Sequence, residues 1–298
     1  MTLCPDALAR DAAALVEVPS VTGAERPALE RLAEIASALG FEPDLHEHDL
    51  EALRDLPGYP GEETDRRELF GLTVALPGRK AAPRLALDGH VDVVGPGTEH
   101  WRHGPWSGAI EGGRLHGRGS LDMKGAVVAA LHAMAAARGA AACEVVLHAV
   151  SSEEDGGLGT FAALERDDRF EACLIPEPTG FDVVCAQAGA LTFSGEVQGR
   201  GAHAAMRLEG ESAIDAYIGV HDALAAHERE VNAGVEHPLM RQLELAYPLS
   251  VGRLEAGEWS SSVPDHLSFE GRLGVRVGET LGEAERALRA ALEHLPVT

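Results

Sequence analysis

The sequence predicts two domains: an α/β domain whose largely parallel sheet is covered by helices, then a smaller α+β domain. Up to Gln187, strand-like runs alternate with helical runs, the pattern of a helix-covered sheet. After Gln187 the order becomes strand, helix, strand, strand, helix. The 298 residues, 45% apolar and 24% charged, are enough for two hydrophobic cores.

Taken in order, the first helix is expected over residues 5–18. A second, over 25–39, carries Leu29, Leu32, Ile35, Ala36 and Leu39 on one face and stops at Gly40. Residues 42–67 are rich in Pro, Gly and acidic side chains with little periodicity, and read as a surface excursion. Strands follow at 69–76 and 84–94, then a Gly-rich stretch and a helix over 123–137. Next come a strand at 144–150, a short helix ending near Glu165, and a strand at 172–175. Beyond Gln187 the expected elements are strands at 191–197, 248–254 and 267–277 and helices over 211–231 and 281–295. Their order is that of a ferredoxin-like sandwich lacking its last strand. The expected boundaries are therefore 1–187 and 188–298.

Charge excludes several functions. With 25 basic and 48 acidic residues the formal net charge is −23, which repels phosphate backbones and anionic lipid, so neither nucleic acid nor membrane is an expected partner. The N-terminus lacks a basic start followed by an apolar run, so no signal peptide is expected. The apolar stretch 126–142 is interrupted by His132, Arg138 and Gly139 and is too short for a membrane span. Cys4, Cys143, Cys173 and Cys185 form no C-x-x-C pair and read as free thiols in a reducing cytoplasm.

In α/β sheets ligands gather beyond the carboxyl ends of the strands. The run LALDGHVDVV delivers His90 and Asp92 there, and GRGSLDMKG delivers Asp122 just before a helix. AVSSEED delivers Glu153 and Glu154, and LIPEPTG delivers Glu177. Singly, each has an ordinary reading: Asp122 as a helix N-cap, His90 as a buried hydrogen-bonded histidine, Glu177 as an exposed loop carboxylate. Together they do not, because several carboxylates at one sheet edge repel and are costly to desolvate unless a cation neutralises them. One imidazole among carboxylates suits zinc, cobalt or manganese. Asp92, two residues from His90, can accept the other ring N–H and fix the tautomer.

The segments LALDGHVDVVGPG, GRLHGRGSLDMKG, SSEED and PEPTG resemble the metal-site motifs of a di-zinc aminoacyl hydrolase and peptidase family. Its members include acetylornithine deacetylase, succinyl-diaminopimelate desuccinylase, carboxypeptidase G and aminoacylase-1. The resemblance continues through GRGAHAAMRLEGESAID and SSVPDHLSFEGRLGVRVGET, nearly the whole chain. It implies a three-layer metallopeptidase-type catalytic domain with a ferredoxin-like lid and dimerisation domain, hence a homodimer. It further implies two Zn2+ per site, replaceable by Co2+. His90 and Glu177 would hold one cation, Asp122 would bridge both, and Glu154 would hold the second. Asp92 would orient His90. Glu153 would be the general base that takes a proton from water and returns one to the leaving amine. His203 would be an oxyanion donor, often reaching the partner subunit's site. His100, His103, His116, His132 and His148 match no ligand position and read as structural.

The sequence departs from the family pattern in three places. The family's last metal ligand is a histidine on a downstream segment that returns to the first domain, and the chain reaches Thr298 where the lid's last strand is expected. His294, on the expected lid helix, is no substitute, so the first domain reads as incomplete. Ser261 stands where many members have Asn. Arg272, Leu273 and Gly274 replace Asp-x-Arg, leaving Arg272 as either the substrate-carboxylate ligand or a solvated strand residue. The expected function is a cytoplasmic, zinc- or cobalt-dependent hydrolase that removes the acyl group from an N-acylated amino acid. N-acetylornithine is the first candidate substrate and N-succinyl-diaminopimelate the second. The alternatives are a dipeptidase or carboxypeptidase of the same family, or a non-catalytic relative acting as a dimerising binding module.

Overall fold

The computed structural model describes residues 3–79 and 83–298. Its contacts divide the chain into two units, Met1–Asp182 and Val183–Thr298.

In the first unit, α1 (Pro5–Val16) and α2 (Arg26–Ala38) each start with proline in the first turn, where the missing N–H would be unsatisfied anyway. Helix α2 buries Leu29, Leu32, Ile35 and Ala36, each Leu or Ile stabilising by about 1.5–3 kcal/mol relative to exposure. It ends in a Schellman motif: Gly40 takes φ +82°, its N–H donates to Ser37 O at 2.9 Å, and Phe41 N–H donates to Ala36 O at 3.0 Å. The expected surface excursion instead contains strand β1 (Asp44–Glu47) and the short helix α3 (Leu50–Arg54), capped by Asp49. Strand β1 pairs with β2 (Phe70–Leu76) at the sheet margin, so a short polar strand escapes a search for apolar periodicity.

Strand β3 (Arg84–His90) follows, then a hairpin of β4 (Ala109–Glu111) and β5 (Arg114–His116) within the Gly-rich stretch. After it come α4 (Lys124–Ala137), β6 (Glu144–Val150), α5 (Leu158–Arg166) and β7 (Ala172–Leu174). Among the described residues five strands form one sheet in the order β1-β2-β6-β3-β7. The sheet is mixed, not largely parallel: β1–β2 and β2–β6 are antiparallel, whereas β6–β3 and β3–β7 are parallel. The parallel half carries His90 and leads into Glu153, Glu154 and Glu177. Helices α1, α2 and α4 bury Leu15, Leu29, Leu32, Val127, Val128 and Leu131 in one core with Leu72, Val74 and Leu147. Gly89 lets α4 approach β3 closely, since a Cβ there would meet Val127 Cγ2 at 2.9 Å.

The second unit holds β8 (Gly189–Gln198), β9 (Ala202–His203), α6 (Ala213–Asn232), β10 (Leu249–Ala256), β11 (Ser262–Val263), β12 (His266–Val275) and α7 (Leu281–Leu292). Ser212 caps α6, and Thr280 with Glu283 forms a capping box on α7. The sheet order is β10-β12-β8, antiparallel throughout, and Val297 bridges Val197 antiparallel on the free side of β8. Tyr217, Val220 and Leu224 of α6 and Ala284 and Leu288 of α7 pack with Leu267, Phe269 and Leu273 of β12. This is the expected α+β sandwich.

Candidate metal centre

Because β3 lies between two parallel neighbours, the segments leaving β6, β3 and β7 emerge at one edge. His90 is the last residue of β3 and is buried, and Asp92 follows it, fully buried. Glu153 and Glu154 lie in the turn after β6, Glu177 follows β7, and Asp122 lies in the turn before α4. His90 Nε2 points into this group. It lies 3.0 Å from Asp122 Oδ1, 3.7 Å from Glu177 Oε1 and 3.8 Å from Glu153 Oε2. One ligand atom each from His90, Asp122 and Glu177 falls within 4.8 Å of the others, and Glu154 stands outside that trio.

The opposite ring nitrogen is held from behind. His90 Nδ1 lies 2.9 Å from the main-chain oxygen of Asp92 and 3.5 Å from its carboxylate. That carboxylate also accepts the N–H groups of Glu153 at 3.2 Å and Glu154 at 3.0 Å. Asp92 therefore ties the histidine and the Glu153–Glu154 turn together, and with Nδ1 donating, Nε2 is the ring nitrogen that faces the carboxylates and is left to a cation once its proton is displaced.

The Glu153–Glu154 turn is strained and clamped. Ser152 has φ +63°, a left-handed conformation that costs of order 1–3 kcal/mol for a residue with a Cβ. It is held there by the N–H groups of Gly157 and Leu158 donating to its carbonyl at 2.8 and 3.1 Å, and by its hydroxyl donating to Asp155. Asp155 in turn faces Arg66, whose fully buried side chain lies 3.1 Å from Asp155 Oδ2 and 3.4 Å from Glu25 Oε1. Burial pushes the Glu25 carboxyl above the ordinary carboxylate range, partly offset by the Gly23 N–H and the Arg66 charge. Replacing Arg66 by methionine leaves two buried carboxylates without their cation, so a loss of about 3–5 kcal/mol is expected in urea unfolding. A loss below about 1 kcal/mol would show that the buried network does not hold this turn.

The electrostatics of the group match its crowding. Burial and then the Asp122 charge raise the Glu154 carboxyl above its usual value. Burial also raises Glu177, where attraction to His90 is opposed by Asp122, Glu153 and Glu154. For His90, burial acts to lower the imidazole, but the Asp92 hydrogen bond, the Asp92 charge and the Glu153 charge outweigh it and lift it to about 10. The metal-free histidine is then protonated at neutral pH. A cation must displace that proton, so zinc binding at about pH 8 is expected to release about one proton from His90. Calorimetry in two buffers of different ionisation enthalpy measures it, and equal heats in both would contradict the raised value.

Residues 86–237 match the family described as peptidase family M20/M25/M40. The chain belongs to that family. Residues 185–297 match its peptidase dimerisation domain. A succinyl-diaminopimelate desuccinylase of Methylobacterium sp. (strain 4-46) is 35% identical over 227 residues, 71% of this chain and 54% of the relative. One from Rhodopseudomonas palustris (strain BisB5) is 35% identical over 62% of this chain and 46% of its own length. The chain spans about half the length of the curated relatives it matches. Among solved structures, the dipeptidase Dug1p of Saccharomyces cerevisiae aligns with a TM-score of 0.67 at 12% identity, covering 100% of this chain and 79% of that one. The M20 metallo-carboxypeptidase Sso-CP2 of Sulfolobus solfataricus aligns with a TM-score of 0.66 at 15% identity, covering 96% and 76%. These two share the fold.

The remaining expected site residues lie in the second unit. His203 is exposed on β9, opposite Ser262, and its Nδ1 accepts the Ala205 N–H at 3.2 Å. Arg272 is exposed on β12, opposite Ser250 on one side and Thr192 on the other. His294 lies in the turn after α7 rather than on the helix. Arg66, Glu25 and Asp155 were not singled out from the sequence. Asp155 lies within the SSEED run, but its pairing with Arg66 spans 89 positions and leaves no local signal. Lys124 was missed too: fully buried, its Nζ donates to Val18 O at 2.7 Å, joining the end of α1 to the start of α4 beside Asp122. Among the described residues no helix is long and apolar enough to cross a membrane.

Proposed function

We propose that this chain carries the metal centre of a hydrolase that cleaves the amide bond of an N-acylated amino acid. The observation that carries the proposal is His90 Nε2 facing the carboxylates of Asp122, Glu153 and Glu177 within 3.8 Å. The residues fit divalent cations: burial first, and then the neighbouring carboxylates, raise the Glu154 and Glu177 carboxyls, a cost that a bound cation would relieve. His90 and Glu177 would hold one cation, Asp122 would bridge, and Glu154, standing outside the His90 trio, would hold the second. Zinc is the expected metal and cobalt the expected substitute. Bound there, the cations act as Lewis acids and lower the pKa of water towards about 7.

The chain's own residues do the rest. Glu153 takes the proton of the attacking water and hands a proton to the departing amine. Asp92 holds His90 by its main-chain oxygen and the Glu153–Glu154 turn by its carboxylate. His203 would stabilise the oxyanion from a partner subunit, in a homodimer built on the matched dimerisation domain. Arg272 would bind the substrate carboxylate. The relatives at 35% identity favour an N-succinyl amino acid, which puts N-succinyl-diaminopimelate ahead of N-acetylornithine as substrate. The dipeptidase likeness, at 12% identity, extends to fold alone.

The zinc-loaded chain, assayed by amine release, is expected to cleave N-succinyl-diaminopimelate faster than N-acetylornithine, and both faster than an unblocked dipeptide. Dipeptide cleavage without N-acyl hydrolysis would transfer the chain to the dipeptidase reading. No cleavage of any substrate with zinc bound would favour a binding module.

A further inference from the structure

A second set of ligand-type side chains gathers on the β4–β5 hairpin. Antiparallel pairing sets Ala109 opposite His116 and Glu111 opposite Arg114. Because side chains alternate along a strand, Glu111 and His116 share one face of the hairpin as diagonal neighbours. His103, from the segment before the hairpin, folds onto the same face. Its Nε2 lies 3.0 Å from Glu111 Oε2, and its ring centroid is 4.5 Å from that of His116, the planes tilted by 48°. One ligand atom from each of His103, Glu111 and His116 lies within 4.8 Å of the others.

The frame that presents these three is fixed without them. Gly112 and Gly113, at φ +60° and +75°, make the two-residue connection that holds the strand register. Ser107 donates its hydroxyl to His116 O at 3.2 Å. Trp101 donates its indole N–H to Pro96 O at 3.0 Å, with the Arg118 guanidinium 5.1 Å above its ring. Arg102 faces the carboxylate, its Nη2 3.0 Å from both Glu111 oxygens. Its side chain is 74% exposed, so it can swing into solvent when a smaller cation takes its place.

We propose that His103, Glu111 and His116 bind a divalent cation of the zinc class, at a site that shares no residue with the strand-end centre. Two imidazoles and one carboxylate form a three-ligand set that leaves a fourth, tetrahedral position for water. The imidazoles select zinc, cobalt or nickel over magnesium and calcium, which take oxygen ligands. Arg102 competes for the same carboxylate and weakens the site. These two histidines, structural by sequence, are thereby assigned a role independent of the proposed hydrolysis.

The test is titration of the metal-free chain with zinc chloride alone against a chromophoric chelator, in wild type, His103→Ala/His116→Ala and Arg102→Ala. The double variant is expected to lose one zinc equivalent, or to bind it about 100-fold or more weakly, since even outer partners of ligands are worth about 10–100-fold. The other equivalents stay unchanged. Arg102→Ala is expected to tighten that same equivalent, and excess magnesium to leave it in place. Unchanged stoichiometry and affinity in the double variant would overturn the site, as would loss of every equivalent, which would reduce the hairpin to a support of the strand-end centre. Should the double variant not fold, Arg102→Ala decides, because it removes only an exposed side chain: no change in zinc affinity there contradicts the proposal.

Discussion

Glu153→Gln is expected to abolish measurable turnover of an N-acyl amino acid while leaving metal content nearly intact. A positioned general acid–base is worth about 10²–10⁴ in rate, and an amide keeps the size and polarity of the carboxylate while losing its proton affinity. The structure motivates the split between activity and binding. Glu153 Oε2 is 3.8 Å from His90 Nε2, within the cluster, and its side chain is 48% exposed, so it reaches both the centre and water. The residues that would hold the cations, His90, Asp122, Glu154 and Glu177, stay in place. Turnover at the wild-type rate in the variant would remove Glu153 from the base role. Loss of metal with loss of turnover would make it a ligand instead.

Asp92→Ala is expected to damage both binding and stability. The wild-type side chain is fully buried, and its carboxylate accepts the Glu153 and Glu154 N–H groups at 3.2 and 3.0 Å beside the His90 ring. Its removal leaves two backbone donors without their partner and His90 without the carboxylate that lies 3.5 Å from Nδ1. The expected cost is about 3–5 kcal/mol in unfolding of the metal-free chain and about 10–100-fold in zinc affinity. The two effects separate by measurement: chemical unfolding in the presence of chelator reads the first, and chelator competition the second. Asp92→Asn, which keeps one acceptor oxygen, is expected to fall between wild type and alanine in both. An Asp92→Ala chain that binds zinc with wild-type affinity would show that His90 is oriented by the main chain alone.

Much of this centre was legible because an α/β sheet puts the residues after its parallel strands at one edge. His90, Glu153, Glu154 and Glu177 could be placed by finding where apolar runs stop, and Asp122 by its position before an apolar helix. Burial and cross-strand pairing were not legible in the same way. The Arg66 clamp joins segments far apart in sequence, and Arg66 sits in a Pro- and Gly-rich acidic stretch that reads as surface. Strand β1 lies in that stretch too, because a short marginal strand needs no apolar alternation. The direction of β2 against β6 depends on chain crossings that no local pattern encodes, so the sheet is more mixed than its alternating elements implied. The β4–β5 hairpin did carry a signal, the Gly112–Gly113 pair, hidden among other glycines. At Asp92 the main-chain oxygen makes the shorter approach to His90 Nδ1, 2.9 Å against 3.5 Å for the carboxylate, which also reaches the backbone of the following turn.

The most direct test of the strand-end centre is anomalous diffraction at the zinc edge from crystals of the full chain soaked in zinc. The account predicts a peak among His90 Nε2, Asp122 and Glu177, and its absence from His90→Ala crystals prepared in the same way. Zinc bound elsewhere on the chain, with no peak among those three side chains, would contradict it.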